Sequence, residues 1–180
     1  FVLPDEALAL RLAKVNQRIL AGEWWRLLTV ALVHGSPLHL FFNAYALSSL
    51  GGLAERLYGR ARFGAVLGLG TAGGTLASLA WTPAPAVGAS GGIFALVGAL
   101  LVLGLRRRSA LPDPIRRKLR RDMTWIAAVN LALGATIPYV DNAAHLGGLA
   151  AGAALGALLG PAPEVRRLSR PGPPAGGAGP

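Results

Sequence analysis

The sequence predicts an all-α protein, a polytopic bundle of transmembrane helices, and its composition is the first reason. Of 180 residues, 53% are hydrophobic and only 14% are charged, against about 25% in an average soluble domain. A soluble fold of this size could not cover its surface with so few charges, and intrinsic disorder requires low hydrophobicity. Cysteine is absent, which excludes disulfides, thiolate catalysis and cysteine-ligated metals.

The placement of charge is the second reason, because long segments without Lys, Arg, Asp or Glu mark the membrane spans. Residues 27–54, 123–140 and 142–163 are such segments. Residues 63–105 form another that is too long for one span, and Pro83 and Pro85 divide it with a turn. We predict five spans, at 37–56, 63–81, 88–105, 123–139 and 142–160.

Loops with and without basic residues alternate along the chain, and this alternation predicts the orientation of the protein in the membrane. Arg and Lys fill the 57–62 and 106–122 loops and the C-terminal tail, while the 82–87 and 139–142 turns contain neither. By the positive-inside rule the basic loops are cytoplasmic and the other turns face outside. We interpret the net charge of +10 as this topology signal, with specific lipid or nucleic-acid binding as the weaker alternatives.

This topology divides the chain into three parts. We expect an outer-face loop region at 1–36, a membrane domain at 37–160 and a disordered cytoplasmic Pro/Gly-rich tail at 161–180. Arg11, Lys14 and Arg18 make the first residues too polar to cross a bilayer, so we expect that a preceding span is missing from this chain. The chain is rich in Ala, Gly, Pro and Arg, which suggests a GC-rich bacterial genome. We expect the protein to lie in the bacterial inner membrane.

The first polar cluster inside the spans is formed by His34, His39 and Asn43. Ser36 is predicted as the N-cap and Pro37 as the first residue of a helix. His39 and Asn43 are four residues apart and share one helical face. Polar residues in spans are functional candidates, although the two could simply form inter-helix hydrogen bonds.

The second cluster, Gly88-Ala89-Ser90-Gly91-Gly92, begins a span. A serine at a helix N-terminus between glycines can be closely approached, and free N–H groups there could hold an oxyanion. The alternative is small-residue packing, since Gly88 and Gly92 form a GxxxG step.

The third cluster begins at Asn142 and contains His145, followed by glycines that make a narrow helix face. His145 could be an ordinary core residue. Ser90 and His145, however, both lie in the first turn after an outer loop, which brings them to one depth. The glycines of this face are Gly148, Gly152, Gly156 and Gly160.

Together these residues predict nucleophilic catalysis. A serine hydroxyl needs a base to take its proton, and His145 can act as that base and later as the acid. His39, Asn43 and the Ser90 N–H are available donors for the oxyanion. Asp141, one turn before His145, could orient the imidazole, cap the helix or be an exposed loop charge. No metal, nucleotide or flavin motif is present, so we expect no cofactor.

The motifs, taken together, resemble those of the rhomboid intramembrane serine proteases. Glu23-Trp24-Trp25-Arg26 is similar to the WR motif of the first outer loop, and His34, His39 and Asn43 to the HxxxxHxxxN pattern. Gly88-Ala89-Ser90-Gly91 is similar to GxSG, and Ala144-His145-Leu146-Gly147-Gly148 to AHxxG. The resemblance covers residues 22–160.

This resemblance implies a six-helix bundle, of which the chain would hold five, with an active site open to the outer face. It implies a Ser90–His145 dyad without an acid, with an oxyanion held by His39, Asn43 and the Ser90 backbone. Around this dyad, the resemblance implies that Gly88 shapes the turn before Ser90 and that Phe94, Gly148 and Gly152 pack at the site. It also implies that His34 and Arg26 support the outer loop, and that Trp24 and Trp25 lie in the membrane interface.

We therefore predict an intramembrane serine endopeptidase that cleaves single-span membrane proteins near the outer face. Its partners would be these substrates and the lipid bilayer, not nucleic acid. The main alternative is a non-proteolytic rhomboid-like protein that binds membrane clients. A small channel or transporter is a third hypothesis, but the paired repeats typical of transporters are not seen.

Overall fold

The computed structural model describes residues 6–106 and 111–168, and it confirms the all-α prediction. Across those two ranges the only strand-like pairing is an isolated antiparallel bridge between Lys14 and Ala86. A 3₁₀ turn, Val30–Leu32, follows the third helix, and a π turn, Leu47–Gly51, separates the fourth and fifth. The helices are α1 Glu6–Leu12, α2 Asn16–Leu20, α3 Arg26–Thr29, α4 Pro37–Ala46, α5 Gly52–Tyr58, α6 Arg60–Trp81, α7 Ser90–Leu105, α8 Asp113–Thr136, α9 Asn142–Leu159 and α10 Pro163–Leu168.

Each predicted span falls on a helix, but the helices differ in how well they suit a bilayer. α6 and α9 are long and apolar enough to cross a membrane. The Arg26–Leu32 and Pro37–Tyr58 segments, bent by 103°, would make a third span if counted together, and α7 is apolar but has 16 residues. The count of five spans therefore stays a prediction.

The helix that contains the fourth predicted span begins earlier than that span. We expected a loop over 106–122, yet α8 starts at Asp113, with this acidic residue and Pro114 in its first turn. An early proline and an acidic first turn both favour helix initiation. Leu119, Met123 and Ala127, spaced by four, bury one stripe of α8. The charged residues before 123 thus continue the helix.

The core of the bundle is the contact between α7 and α9. Every residue from 91 to 100 is buried. A Cβ atom added to Gly148 would lie 2.1 Å from the Gly91 carbonyl oxygen, and one added to Gly152 would lie 1.9 Å from that of Ala95. A Cβ atom added to Gly156 would lie 2.7 Å from the Ala99 Cα. We call these three residues of α9 the glycine contact.

Gly160 does not extend the glycine contact as the spacing suggested. It is the C-cap of α9 and has a φ of 60°, in the left-handed region that glycine adopts without strain. The chain turns here but stays against the bundle, since Ala162 is buried and its N–H donates to the Leu57 carbonyl at 2.8 Å. A short helix, α10, occupies the start of the predicted tail. The remainder of that tail, 169–180, lies outside the described residues.

A buried arginine holds the N-terminal segment together. Arg26, 4% exposed, donates from one nitrogen to the Leu10 and Ala13 carbonyls at 2.6 and 2.7 Å. It also pairs with Glu23 at 2.6 Å, and the hydrogen bond from Arg26 lowers the pKa of the Glu23 carboxyl. Trp24 and Trp25 remain more than half exposed. Arg26 therefore ties α3 to the end of α1.

Candidate active site

Ser90 and His145 lie in hydrogen-bond contact. Ser90 is the first residue of α7, and His145 lies in the first turn of α9. The distance from His145 Nε2 to Ser90 Oγ is 2.9 Å. The glycine contact accounts for this proximity, because glycines on α9 let the backbones of the two helices approach far closer than larger residues would.

A turn that requires glycine at position 88 precedes Ser90. Gly88 has a φ of 121°, a conformation that L side chains rarely adopt. Its N–H donates to the Val30 carbonyl at 2.9 Å. A Cβ there would also lie 2.7 Å from His39 Cε1. Glycine is thus required both for the backbone conformation and because a side chain would collide with His39. The His39 ring therefore lies against the backbone just before Ser90.

The α4 helix carries His39 and Asn43 as the spacing predicted. Ser36 is its N-cap, accepting from the His39 N–H at 3.1 Å, and Pro37 is its first residue. The buried Asn43 side chain donates to the His39 carbonyl at 2.9 Å. Within the described chain this hydrogen bond ties Asn43 to its own helix and not to Ser90 or His145.

Two aromatic contacts surround the histidines. The Phe94 ring stacks on the His145 ring with centroids 4.2 Å apart and planes 8° from parallel. His34 is buried and meets His39 edge to face at 5.0 Å. Neither ring nitrogen of His34 has a hydrogen-bond partner among the residues that the structure describes.

Asn142 is a site residue for which no role was predicted. Its Oδ1 lies 3.2 Å from His145 Nδ1, and its Nδ2 donates to the Leu131 carbonyl of α8 at 3.0 Å. When Nδ1 carries the ring proton and donates it to Asn142, Nε2 is left as the acceptor that faces the serine hydroxyl. The available signal was the i, i+3 spacing of Asn142 and His145 on one helix.

Asp141 caps α9. Its carboxylate accepts from the Ala144 N–H at 3.0 Å and from the Thr82 hydroxyl at 3.2 Å, and it also accepts from the Ser78 hydroxyl. Of the alternatives for this residue, the structure thus selects the helix cap. The imidazole nitrogen that an orienting acid would hold faces Asn142 instead.

The site therefore brings a hydroxyl, an imidazole and N–H donors together at one helix end. The N–H of Ser90 belongs to the first turn of α7, where backbone donors have no partner within the helix. His39 borders the same turn. A serine hydroxyl facing a neutral imidazole beside such donors has the geometry of nucleophilic acyl transfer.

The fold and the site together define a helical membrane protein in which a serine and a histidine lie in hydrogen-bond contact at one helix end. Residues 21–162 match the Rhomboid domain, and the chain belongs to the rhomboid family. This match confirms the resemblance seen in the sequence.

Relatives in bacteria and plants are similar over most of the chain. Identity to the Rhomboid protease GluP of Bacillus subtilis (strain 168) is 40% over 148 residues, or 82% of this chain and 28% of the relative. Identity to RHOMBOID-like protein 1 of Arabidopsis thaliana is 34% over 159 residues, or 88% and 40%. The chain thus spans less than half the length of either curated relative.

Proposed function

We propose that this protein is an intramembrane serine endopeptidase that uses Ser90 as nucleophile and His145 as general base. The observation that carries the proposal is the 2.9 Å contact between His145 Nε2 and Ser90 Oγ. Membership of the rhomboid family supports it, as does the similarity to a relative named as a rhomboid protease.

The reaction follows from the positions of the two side chains. Nε2 of His145 takes the hydroxyl proton as Ser90 Oγ bonds to the scissile carbonyl carbon. When the tetrahedral intermediate collapses, the C–N bond breaks and His145 returns that proton to the leaving amine. A water molecule, deprotonated by His145, then attacks the acyl-enzyme, and Ser90 leaves with its proton restored.

The oxyanion of each tetrahedral intermediate needs donors. The Ser90 N–H and His39 are close to the reacting serine, and Asn43 completes the proposed set from the same face of α4. Loss of one such donor lowers the rate by roughly 10²–10³, or about 3 kcal/mol. Gly88 and Phe94 act indirectly, through the turn before Ser90 and the stacking on His145.

The proposed substrates are single-span membrane proteins cleaved near the outer face of the bacterial inner membrane. A peptide bond within a transmembrane helix is shielded by its own hydrogen bonds. Substrate helices rich in small residues, which open easily, should therefore be preferred. The proposed orientation, with cytoplasmic basic loops and a cytoplasmic C-terminus, opens the site to the outside.

Cleavage by the purified protein in liposomes tests this function. The wild type, Ser90→Ala and His145→Ala would each be reconstituted with a model single-span substrate. Ser48→Ala is the matched control, because Ser48 is an exposed serine that donates only to the nearby Tyr45 carbonyl in the described structure.

We expect cleavage by the wild type and Ser48→Ala, and none by the other two variants. Cleavage that persists in Ser90→Ala would overturn the proposal. Substrate retained on the wild type but never cut would overturn it in favour of a client-binding role.

A further inference from the structure

A buried lysine lies beside the loop that leads to Ser90. Lys14 is fully buried, and its ammonium donates to the Thr82 carbonyl and, at 2.9 Å, to the Ala84 carbonyl. Its backbone pairs with Ala86 through two hydrogen bonds of 2.9 and 3.1 Å. Burial of an ammonium group costs desolvation free energy, so its position at the end of α6 needs an explanation.

Two features offset part of this desolvation cost. Thr82 is the C-cap of α6, and the C-terminal end of a helix attracts cations. Asp141 supplies an opposite charge: burial lowers the pKa of Lys14, and the Asp141 charge counteracts part of that effect.

Thr82 connects the lysine to the helix of the proposed base. Its carbonyl accepts from Lys14, while its hydroxyl donates to Asp141 at 3.2 Å. Asp141 in turn receives the Ala144 N–H, in the turn that carries His145. We call Lys14, Ser78, Thr82 and Asp141 the Lys14 cluster.

The same loop also positions the proposed nucleophile. Residues 82–87 run from the Lys14 cluster directly into Gly88 and then Ser90. The backbone pairing of Ala86 with Lys14 fixes the loop in its middle. One cluster thus anchors the chain before Ser90 and the helix end before His145.

We propose that Lys14 and Asp141 are positioning residues that act through Thr82 to set the distance between Ser90 and His145. Neither touches the reacting atoms. For its catalytic consequence this inference rests on the proposed function. A displacement of about 1 Å at reacting groups can lower a rate roughly a hundredfold, so a loosened cluster should slow the chemical step.

A double-mutant cycle with Lys14→Met and Asp141→Ala tests the proposal. Lys14→Met keeps the length of the side chain but removes the ammonium, and Asp141→Ala removes the cap. Arg11→Met, an exposed position in the same segment, is the control. Asp141→Asn, which keeps the oxygen that accepts from Ala144, is the conservative variant that guards against a general folding defect.

Two quantities would be measured in liposomes: kcat and KM for a single-span substrate, and hydrogen exchange at the Ala144 amide. We expect each single variant to lower kcat roughly tenfold to a hundredfold without raising KM. The kcat of the double variant should be no lower than that of the slower single variant. Exchange at Ala144 should quicken in Lys14→Met, and Asp141→Asn should recover most of kcat.

Other outcomes separate the two proposals. If Lys14→Met matches Arg11→Met in both measurements, or if the effects of Lys14→Met and Asp141→Ala multiply fully, the positioning role is overturned. If the wild type never cleaves while Lys14→Met still quickens exchange at Ala144, the proposed function fails but the linkage within the cluster is supported.

Discussion

The first turn of α9 and the rest of that helix are held in different ways. The first turn is fixed by side-chain hydrogen bonds: Asp141 accepts from Ser78 and Thr82, and Asn142 reaches the Leu131 carbonyl. The rest is fixed by the glycine contact, in which α9 lies against the α7 backbone. The hydrogen bonds can be changed one at a time, whereas the glycine contact cannot be changed without moving the helix.

The difference matches what each end has to do. In lipid, helices associate through close packing more than through the hydrophobic effect, so a tight backbone contact gives the bundle its rigidity. A hydrolytic site needs polar groups and access for water. The separation of these tasks along one helix predicts that stability and activity respond to different substitutions.

Disrupting the glycine contact should have the largest effect. In Gly152→Val the first side-chain carbon would already lie 1.9 Å from the Ala95 carbonyl oxygen. Overpacking lowers the free energy of unfolding by about 1–3 kcal/mol and occasionally more. Because the obstructing atom here belongs to the backbone, we expect a loss of stability at or above the upper end of that range. Thermal unfolding in detergent should show this loss. Gly68→Val is the control, because a Cβ at Gly68 meets nothing within 4 Å, and an equal loss there would contradict the prediction.

Removing a proposed oxyanion donor should spare the fold and slow the reaction. For His39→Ala we expect kcat to fall roughly 10²–10³-fold, about 3 kcal/mol, with KM nearly unchanged. Leu38→Ala, at an exposed neighbour on the same helix, should keep wild-type kcat. A rise in KM alone would instead assign His39 to substrate binding.

Loosening the support of the proposed base should have a smaller effect. Asn142→Ala removes the oxygen beside His145 Nδ1, a hydrogen bond worth about 1 kcal/mol, so we expect kcat to fall roughly five- to tenfold. Asn130→Ala removes an exposed asparagine that bonds only within α8 in the described structure. Equal kcat in the two variants would exclude a role for Asn142.

The pH dependence of stability gives the smallest expected effect. The pKa of Lys14 is lowered by burial in the folded protein from its ordinary value near 10.5. Between the folded and the ordinary pKa the unfolded chain binds more protons, so the contribution of Lys14 to the unfolding free energy rises with pH in that window. Denaturant unfolding at several alkaline pH values should show a shallower rise in Lys14→Met. An unchanged slope would mean that the folded protein does not perturb the lysine.

Local patterns predicted much of the fold and the candidate site. Charge-free segments located the helices, because charge is excluded from lipid-facing spans whatever the tertiary structure. The cap at Ser36 and the pairing of Ser90 with His145 followed from spacing and depth. The contact between Ser90 and His145 was therefore predictable before any coordinates.

Other features depend on tertiary contacts that no local pattern reveals. Lys14 was predicted only to lie in the outer-face region, and Asp141 was left with three alternatives, yet the fold buries the lysine on carbonyls 68 and 70 residues away along the chain. The early start of α8 was missed because its basic residues were interpreted only as a sign of a cytoplasmic loop. The spacing of four residues between the apolar Leu119 and Met123 already indicated a helix.

Labelling of Ser90 by a fluorophosphonate, located by peptide mass spectrometry, tests the central claim most directly. The probe reacts with a serine that a base has activated, without any assumption about substrate. We predict one adduct, on Ser90, in the wild type and in Gly64→Ala, and almost none in His145→Ala. An adduct that forms equally well without His145, or a wild type that stays unlabelled while folded, would contradict the assignment of Ser90 and His145 as a catalytic pair.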